Sequence, residues 1–210
     1  ATGAVGREML KILEERNFPI GELRCLASAR SVGKKLPFAG REIMVEEATD
    51  AAFTDADIVL GAAENDIARR FAPAIKATGA VFIDNSSAFR MDEDVPLVVP
   101  EINPEDALHH HGIIANPNCS TIITVVAVAA LRRLSPITSM VAATYQAVSG
   151  AGYPGVPSLD ILCNVVPYIK NEEEKMEMEL AKILGDYNGS RFIDANVNVL
   201  SNCVRVHVID

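Results

Sequence analysis

Several features are missing from this 210-residue sequence, and each absence removes a class of function. No apolar run approaches the roughly 18 residues of a helical membrane span. The first residues hold no basic segment leading into an apolar stretch, which would mark a secretory leader, so the expected location is the cytoplasm. The four cysteines, Cys25, Cys119, Cys163 and Cys203, stand far apart without CxxC or Cys/His ligand spacing. Neither a zinc site nor a disulfide framework is indicated, and each thiol must be judged by its surroundings. Positive charge is also scarce: 19 Lys and Arg against 28 Asp and Glu leave a net charge of -9. The average field therefore repels nucleic acid and anionic membranes, although a local basic pocket for phosphate remains compatible with it. His109, His110 and His111 are consecutive and lack nearby Cys or acidic ligands, so they read as a solvated loop and no metal is expected.

What is present is ordinary globular material, 49% hydrophobic and long enough for one large domain or two modest ones. The periodicity predicts a helix over 7–15, an apolar run over 22–27, a strand over 58–61, a helix over 67–77 and a strand over 80–84. Strands alternating with helices imply a parallel sheet. Further short strands are expected over 97–100 and 113–115, then an apolar helix over 120–134 that Ser135-Pro136 stops. The remainder predicts a strand over 140–148, a glycine loop over 149–155, a charged helix over 172–184 and a last strand over 198–208.

Five motifs carry chemistry. Thr2-Gly3-Ala4-Val5-Gly6 is a glycine turn opening a helix, which suits close approach to a pyrophosphate or an ordinary turn equally. Ser28, Arg30 and Ser31 stand where a dinucleotide fold places an acidic residue for the ribose; an arginine flanked by serines suits a 2′-phosphate and hence NADP. In Asn116-Pro117-Asn118-Cys119-Ser120-Thr121, Asn118 is a natural N-cap. That puts Cys119 in the first turn, where helix-end N–H groups favour the nucleophilic form of a thiol; the alternative is a small core residue. Gln146 precedes the Ser149-Gly150-Ala151-Gly152 loop and can orient a carbonyl or a thiol without adding charge. Finally, Glu172 and Lys175 share a helix face, where a weak surface ion pair is the plain account. Arg205 on an apolar strand needs an anionic partner if buried. Arg90, after a strand, is either an anion ligand or a surface cation.

Taken in order and spacing, ATGAVG, ASARSVGK, DNSSAFRMD, NPNCST, TYQAVSGAGYPG, EEEKME and CVRV resemble aspartate-semialdehyde dehydrogenase over almost the whole chain. The GYPGVPSLDI stretch is most similar to the archaeal and fungal branch. The resemblance implies an α/β fold, with a Rossmann-type parallel-sheet domain over 1–134 ending in the cysteine helix. Part of an α+β catalytic and dimerisation domain follows over 135–210. It implies reductive dephosphorylation of β-aspartyl phosphate to aspartate semialdehyde in aspartate-family amino-acid biosynthesis, with NADP as cofactor. Cys119 is then the nucleophile and Gln146 orients the substrate. Arg90 and Lys175 bind phosphate, and Glu172 and Arg205 bind the amino-acid part. Thr2, Gly3, Ala4, Val5, Gly6, Ser28, Arg30, Ser31 and Ser149, Gly150, Ala151, Gly152 line the cofactor. A homodimer or homotetramer is expected.

The sequence departs from the family pattern in three places. The strand and further glycine that precede the glycine turn in the family are absent ahead of Ala1. The family's acid–base histidine would fall just beyond Asp210. A glycine-serine loop after the third strand is replaced by Ala62-Ala63-Glu64-Asn65-Asp66. These departures lead to the expectation that the sequence is a fragment with little activity alone. The competing readings are a related reductase, acting on malonyl-CoA or N-acetylglutamyl phosphate, and a non-catalytic NADP-binding protein.

Overall fold

The computed structural model describes residues 1–152 and 154–208, so Tyr153 of the glycine loop lies outside the described residues. The chain forms two compact units, Ala1–Ser86 and Ser87–Asp210.

In the first unit, α1 (Ala4–Glu15) begins directly after Gly3, so the glycine turn is itself the head of the helix. The strands are β1 (Cys25–Ala27), β2 (Lys35–Phe38), β3 (Arg41–Glu47) and β4 (Ile58–Gly61), followed by α2 (Asn65–Ala77) and β5 (Val81–Asp84). β1 runs parallel to β3, and β4 runs parallel to β5. Leu10, Cys25, Leu36 and Val45 form a core between α1 and the strands. The sequence reading missed β2 and β3. They form an antiparallel hairpin closed by Ala39 and Gly40, both at positive φ. That geometry matches a two-residue hairpin turn, but Ala-Gly is a weak turn signal and Pro37 argues against a strand.

Gly6 is buried in the first turn of α1, and a Cβ there would stand 2.5 Å from the Ala1 carbonyl oxygen. The turn therefore needs a glycine for packing, whatever it binds. Forcing a methyl group into such a site costs about 1–3 kcal/mol. Gly6→Ala is expected to lower the thermal midpoint by several degrees; an unchanged midpoint in a melting experiment would show that the turn can relax.

The second unit contains β6 (Ile113–Ala115), α3 (Cys119–Arg132), β7 (Ser139–Ala147), α4 (Ser158–Ile161), β8 (Val165–Val166), α5 (Glu172–Ile183), β9 (Asp186–Tyr187), β10 (Phe192–Ile193) and β11 (Asn198–Val206). The expected strand over 97–100 is reduced to a single parallel bridge, Leu97 with Ala115. β7 and β11 pair in parallel over nine residues, from Ser139–Asn198 to Ala147–Val206, and β8 adds antiparallel at the end of β11. One face of this pair is covered by α5, which packs on β11 and on α3. Val199, Cys203 and Arg205 alternate along β11 as its buried residues, and the sulfurs of Cys203 and Met176 of α5 lie 4.0 Å apart. The other face carries the exposed Val141, Tyr145 and Leu200. α3 packs on α5 and β7, so the cysteine helix is part of the second compact unit. Among the described residues no helix is long and apolar enough to cross a membrane.

Candidate active site

The site starts at the head of α3. Asn118 is the N-cap, in extended conformation, and its Oδ1 accepts the Ser120 backbone N–H at 3.1 Å. This is the cap read from the sequence, and it fixes Cys119 as the first helical residue. Cys119 is exposed, and its thiol donates to the same Asn118 Oδ1 at 3.1 Å. The core-packing alternative therefore does not apply to Cys119. It applies to Cys25 and Cys203, which are buried and whose thiols burial pushes up.

Gln146 lies beside Arg205 in the register of β7 and β11. Its Nε2 donates to Ser120 Oγ at 2.7 Å and to Glu172 Oε1 at 2.8 Å. The residue next to Cys119 is thus tied through Gln146 to the start of α5. Glu172 is only 7% exposed, and its other oxygen lies 3.9 Å from Lys175 Nζ. The plain account of a surface ion pair fails here, since the carboxylate is buried and hydrogen-bonded to the layer below. Arg205 is buried as well, and the expectation of an anionic partner is not met among the described residues. Its guanidinium instead donates to the Ala147 carbonyl at 2.7 Å, leaving most of its donors uncommitted to carboxylates. Gly150 keeps the neighbourhood open, because a Cβ there would meet the Arg205 guanidinium at 3.3 Å.

Arg90 is also buried, which removes the surface-cation reading. It shares with Lys175 a concave pocket of about 330 Å³, with Ser87, Asn171 and Glu179 among its lining residues. Two cations, a hydroxyl and an amide can bind a tetrahedral oxyanion, and the carboxylates of Glu174 and Glu179 line the same hollow, Glu179 paired with Arg90 at 2.8 Å. All six residues assigned to catalysis and substrate binding therefore lie in the second unit, linked by one layer of α3, α5, β7 and β11 or by this pocket.

The residues assigned to the cofactor fall into two groups. In the first unit, Thr2 Oγ1 reaches Ser31 Oγ at 3.5 Å, so the glycine turn and the serine-arginine segment adjoin. Arg30 is exposed in a 3-10 turn over Ala29–Ser31. Among the described residues no side chain caps α1 and none approaches a Cβ placed at Gly3 within 4 Å, and the first turn of the helix holds no acidic residue. In the second unit, Ser149, Gly150 and Ala151 form an exposed 3-10 turn that ends at Gly152 with φ of 69°.

Two residues of α5 escaped the sequence reading. Glu179 and Lys182 are almost fully buried. The available signal was their spacing: they follow Glu172 and Lys175 along one stripe of the helix. Lys182 Nζ donates to the carbonyls of Arg90, Asp92 and Val95 at 2.7–2.8 Å. The histidine run is partly engaged: His109 stacks on Tyr187 at 4.1 Å, and His110 accepts the Gly112 N–H. Among the described residues no group of His, Cys, Asp and Glu gathers as metal ligands.

Comparison with known proteins decides the family. The family model described as semialdehyde dehydrogenase, NAD binding domain, matches residues 1–110, and the one described as the dimerisation domain matches 128–210. An aspartate-semialdehyde dehydrogenase from Synechocystis sp. is 43% identical, over the whole of this chain and 68% of its own. The chain belongs to the aspartate-semialdehyde dehydrogenase family. Its fold is that of the family: a crystal structure of aspartate semialdehyde dehydrogenase II from Vibrio cholerae complexed with ASA matches with a TM-score of 0.86 and 37% identity, over 100% of this chain and 69% of that one. The Candida albicans enzyme, solved with NADP, matches at 0.83 and 32%, over 100% and 66%. The chain thus spans about two thirds of these relatives. It is an oxidoreductase of amino-acid biosynthesis, with a Rossmann-type nucleotide-binding domain and a dimerisation domain.

Lys182 gives this site a pH signature. Burial pushes its ammonium down to about 8, against the pull of Asp194, Asp92, Asp94 and Asp106. The unfolded value is near 10.4. Between the two, the unfolded chain holds the proton more tightly, so the unfolding free energy rises with pH across that window. The contribution is smallest below about pH 8. Denaturant melts of the protein and of Lys182→Met should therefore diverge, with the difference in stability moving in favour of the parent from pH 8 to about 10; parallel pH curves would contradict this.

Proposed function

We propose that the chain carries the chemical centre of an NADP-linked reaction that converts β-aspartyl phosphate to aspartate semialdehyde through a thioester on Cys119. The observation that carries this reading is the exposed Cys119 at a capped helix head, tied through Ser120 and Gln146 to the buried Glu172. An exposed thiol held there is positioned to attack an acyl carbon.

Arg90 and Lys175 hold the phosphate of the substrate in their shared pocket. Glu172 receives the substrate ammonium, and Arg205, which meets no carboxylate among the described residues, receives its α-carboxylate. Cys119 Sγ bonds to the acyl carbon as the carbon–oxygen bond to phosphate breaks, and phosphate leaves into the Arg90–Lys175 pocket. Backbone N–H groups at the head of α3 steady the oxygen of the tetrahedral intermediate, and Gln146, held by Ser120 and Glu172, orients the substrate at the thiol. Once the thioester carbon is reduced, the carbon–sulfur bond breaks, the carbonyl of the semialdehyde forms, and Cys119 recovers its thiol.

The open head of α1 and the adjoining Thr2 and Ser31 hydroxyls fit a dinucleotide phosphate, with Arg30 free to meet a 2′-phosphate. Thr2, Gly3, Ala4, Val5, Gly6, Ser28, Arg30 and Ser31 hold that part of NADP, and the turn from Ser149 to Gly152 approaches another. NADPH, when bound, supplies the hydride. Functionally, residues 1–134 serve the cofactor and deliver the cysteine, while 135–210 belong to the catalytic and dimerisation domain. The uncovered face of β7 and β11, with Val141, Tyr145 and Leu200, is the surface for a second copy, and the enzyme acts in the cytoplasm.

The full-length protein, given phosphate, NADP and aspartate semialdehyde, should reduce NADP, and given NADPH it should not reduce malonyl-CoA or N-acetylglutamyl phosphate; turnover of only one of those alternatives sinks the assignment. Arg30→Ala should weaken NADP by tenfold or more while changing NAD by less than threefold. Equal losses in a binding titration would remove the 2′-phosphate role.

A further inference from the structure

The carboxylate of Glu179 touches two parts of the site at once. Oε1 accepts from the Arg90 guanidinium at 2.8 Å, and Oε2 accepts the backbone N–H of Asn118 at 2.7 Å. Both contacts are buried, and the Glu179 side chain is 2% exposed. Asn118 is the N-cap of the Cys119 helix, and its N–H is the group that a glutamate at the third helical position satisfies in a capping box. That position here is Thr121, whose shorter side chain does not bond the Asn118 N–H and whose buried hydroxyl has no hydrogen-bond partner among the described residues. The missing half of the box is therefore supplied from another helix.

One turn further along α5, Lys182 binds the carbonyls of Arg90, Asp92 and Val95. The side chain of Arg90 and the backbone that carries it are thus both held by α5. The cap of α3 is held by the same carboxylate as the side chain.

We propose that Glu179 is a positioning residue that completes the N-terminal cap of the Cys119 helix in trans and couples it to Arg90, so that thiol and anion anchor keep one fixed geometry. The proposal rests on the reading of Cys119 as nucleophile and Arg90 as phosphate ligand. Its content is separate: Arg90 influences Cys119 only through Glu179. A carboxylate that merely filled a buried space would stabilise the fold without linking the two.

The test is a double-mutant cycle read at the thiol. The rate of Cys119 alkylation by iodoacetamide is followed on the Cys119 peptide by mass spectrometry, since Cys163 is also exposed. The protein, Arg90→Met, Glu179→Met and the double variant are compared without phosphate, each checked for fold by circular dichroism. Glu179→Met should change the rate at least fivefold and Arg90→Met at least threefold, with the double variant within twofold of Glu179→Met. Multiplying effects, or a Glu179→Met rate equal to the parent's, would overturn the coupling. Glu179→Gln keeps an acceptor for the Asn118 N–H and should lie closer to the parent than Glu179→Met. If Glu179→Met does not fold, the cycle with Glu179→Gln decides: Arg90→Met should then add less than twofold, and a threefold addition overturns the proposal. Phosphate titration of the parent is the separate check on the pocket, where absence of binding removes the phosphate role and leaves the cycle to judge Glu179.

Discussion

Burying an ionised side chain is unfavourable unless hydrogen bonds replace the water it loses. Helix α5 meets this requirement three times on one stripe, at Glu172, Glu179 and Lys182, and each solution fixes a piece of the site. Glu172 is satisfied by Gln146, which ties it to Ser120 beside Cys119. Glu179 is satisfied by Arg90 and the Asn118 N–H, and Lys182 by three carbonyls of the Arg90 segment. Removing any one of these partners would leave a buried charge uncompensated. The geometry around the thiol is therefore set by the electrostatics of α5 as much as by apolar packing.

This arrangement divides the work on that stripe. Its first part, Glu172 and Lys175, faces the space where substrate binds in the proposed reaction. Its second part, Glu179 and Lys182, is buried and holds the elements that carry Arg90 and Cys119, with Glu179 also at the wall of the Arg90–Lys175 pocket. Met176, Leu180 and Ile183 on the neighbouring face supply the apolar burial that keeps α5 against β11. Arg205 at the end of that strand completes the layer, donating to the Ala147 carbonyl and meeting no carboxylate among the described residues.

Much of this was legible in the sequence where a local rule governs. Asn118 before an apolar run gave the helix start, and with it the exposed thiol, because capping depends on adjacent residues. β4 and β6 matched their expected bounds, since short apolar runs between turn residues leave little freedom. The β2–β3 hairpin was not legible, because its Ala39-Gly40 turn and Pro37 contradict the usual signals. Glu179 and Lys182 were hidden for a different reason: a charged helix with alternating signs ordinarily faces water. Only the partners, which lie more than 60 positions away in the sequence, show that this stripe is buried. Arg90 and Glu172 shared that ambiguity, and the resemblance to a family, not their spacing, gave them roles.

The account depends on Cys119 forming a covalent bond to the acyl group. Incubating the protein with aspartate semialdehyde and NADP while omitting phosphate, then mapping the cysteine peptides by mass spectrometry, addresses that bond directly. An aspartyl adduct is expected on the Cys119 peptide alone, formed together with a matching burst of NADPH and discharged when phosphate is added. NADPH production with no adduct, or an adduct on Cys163, would contradict it.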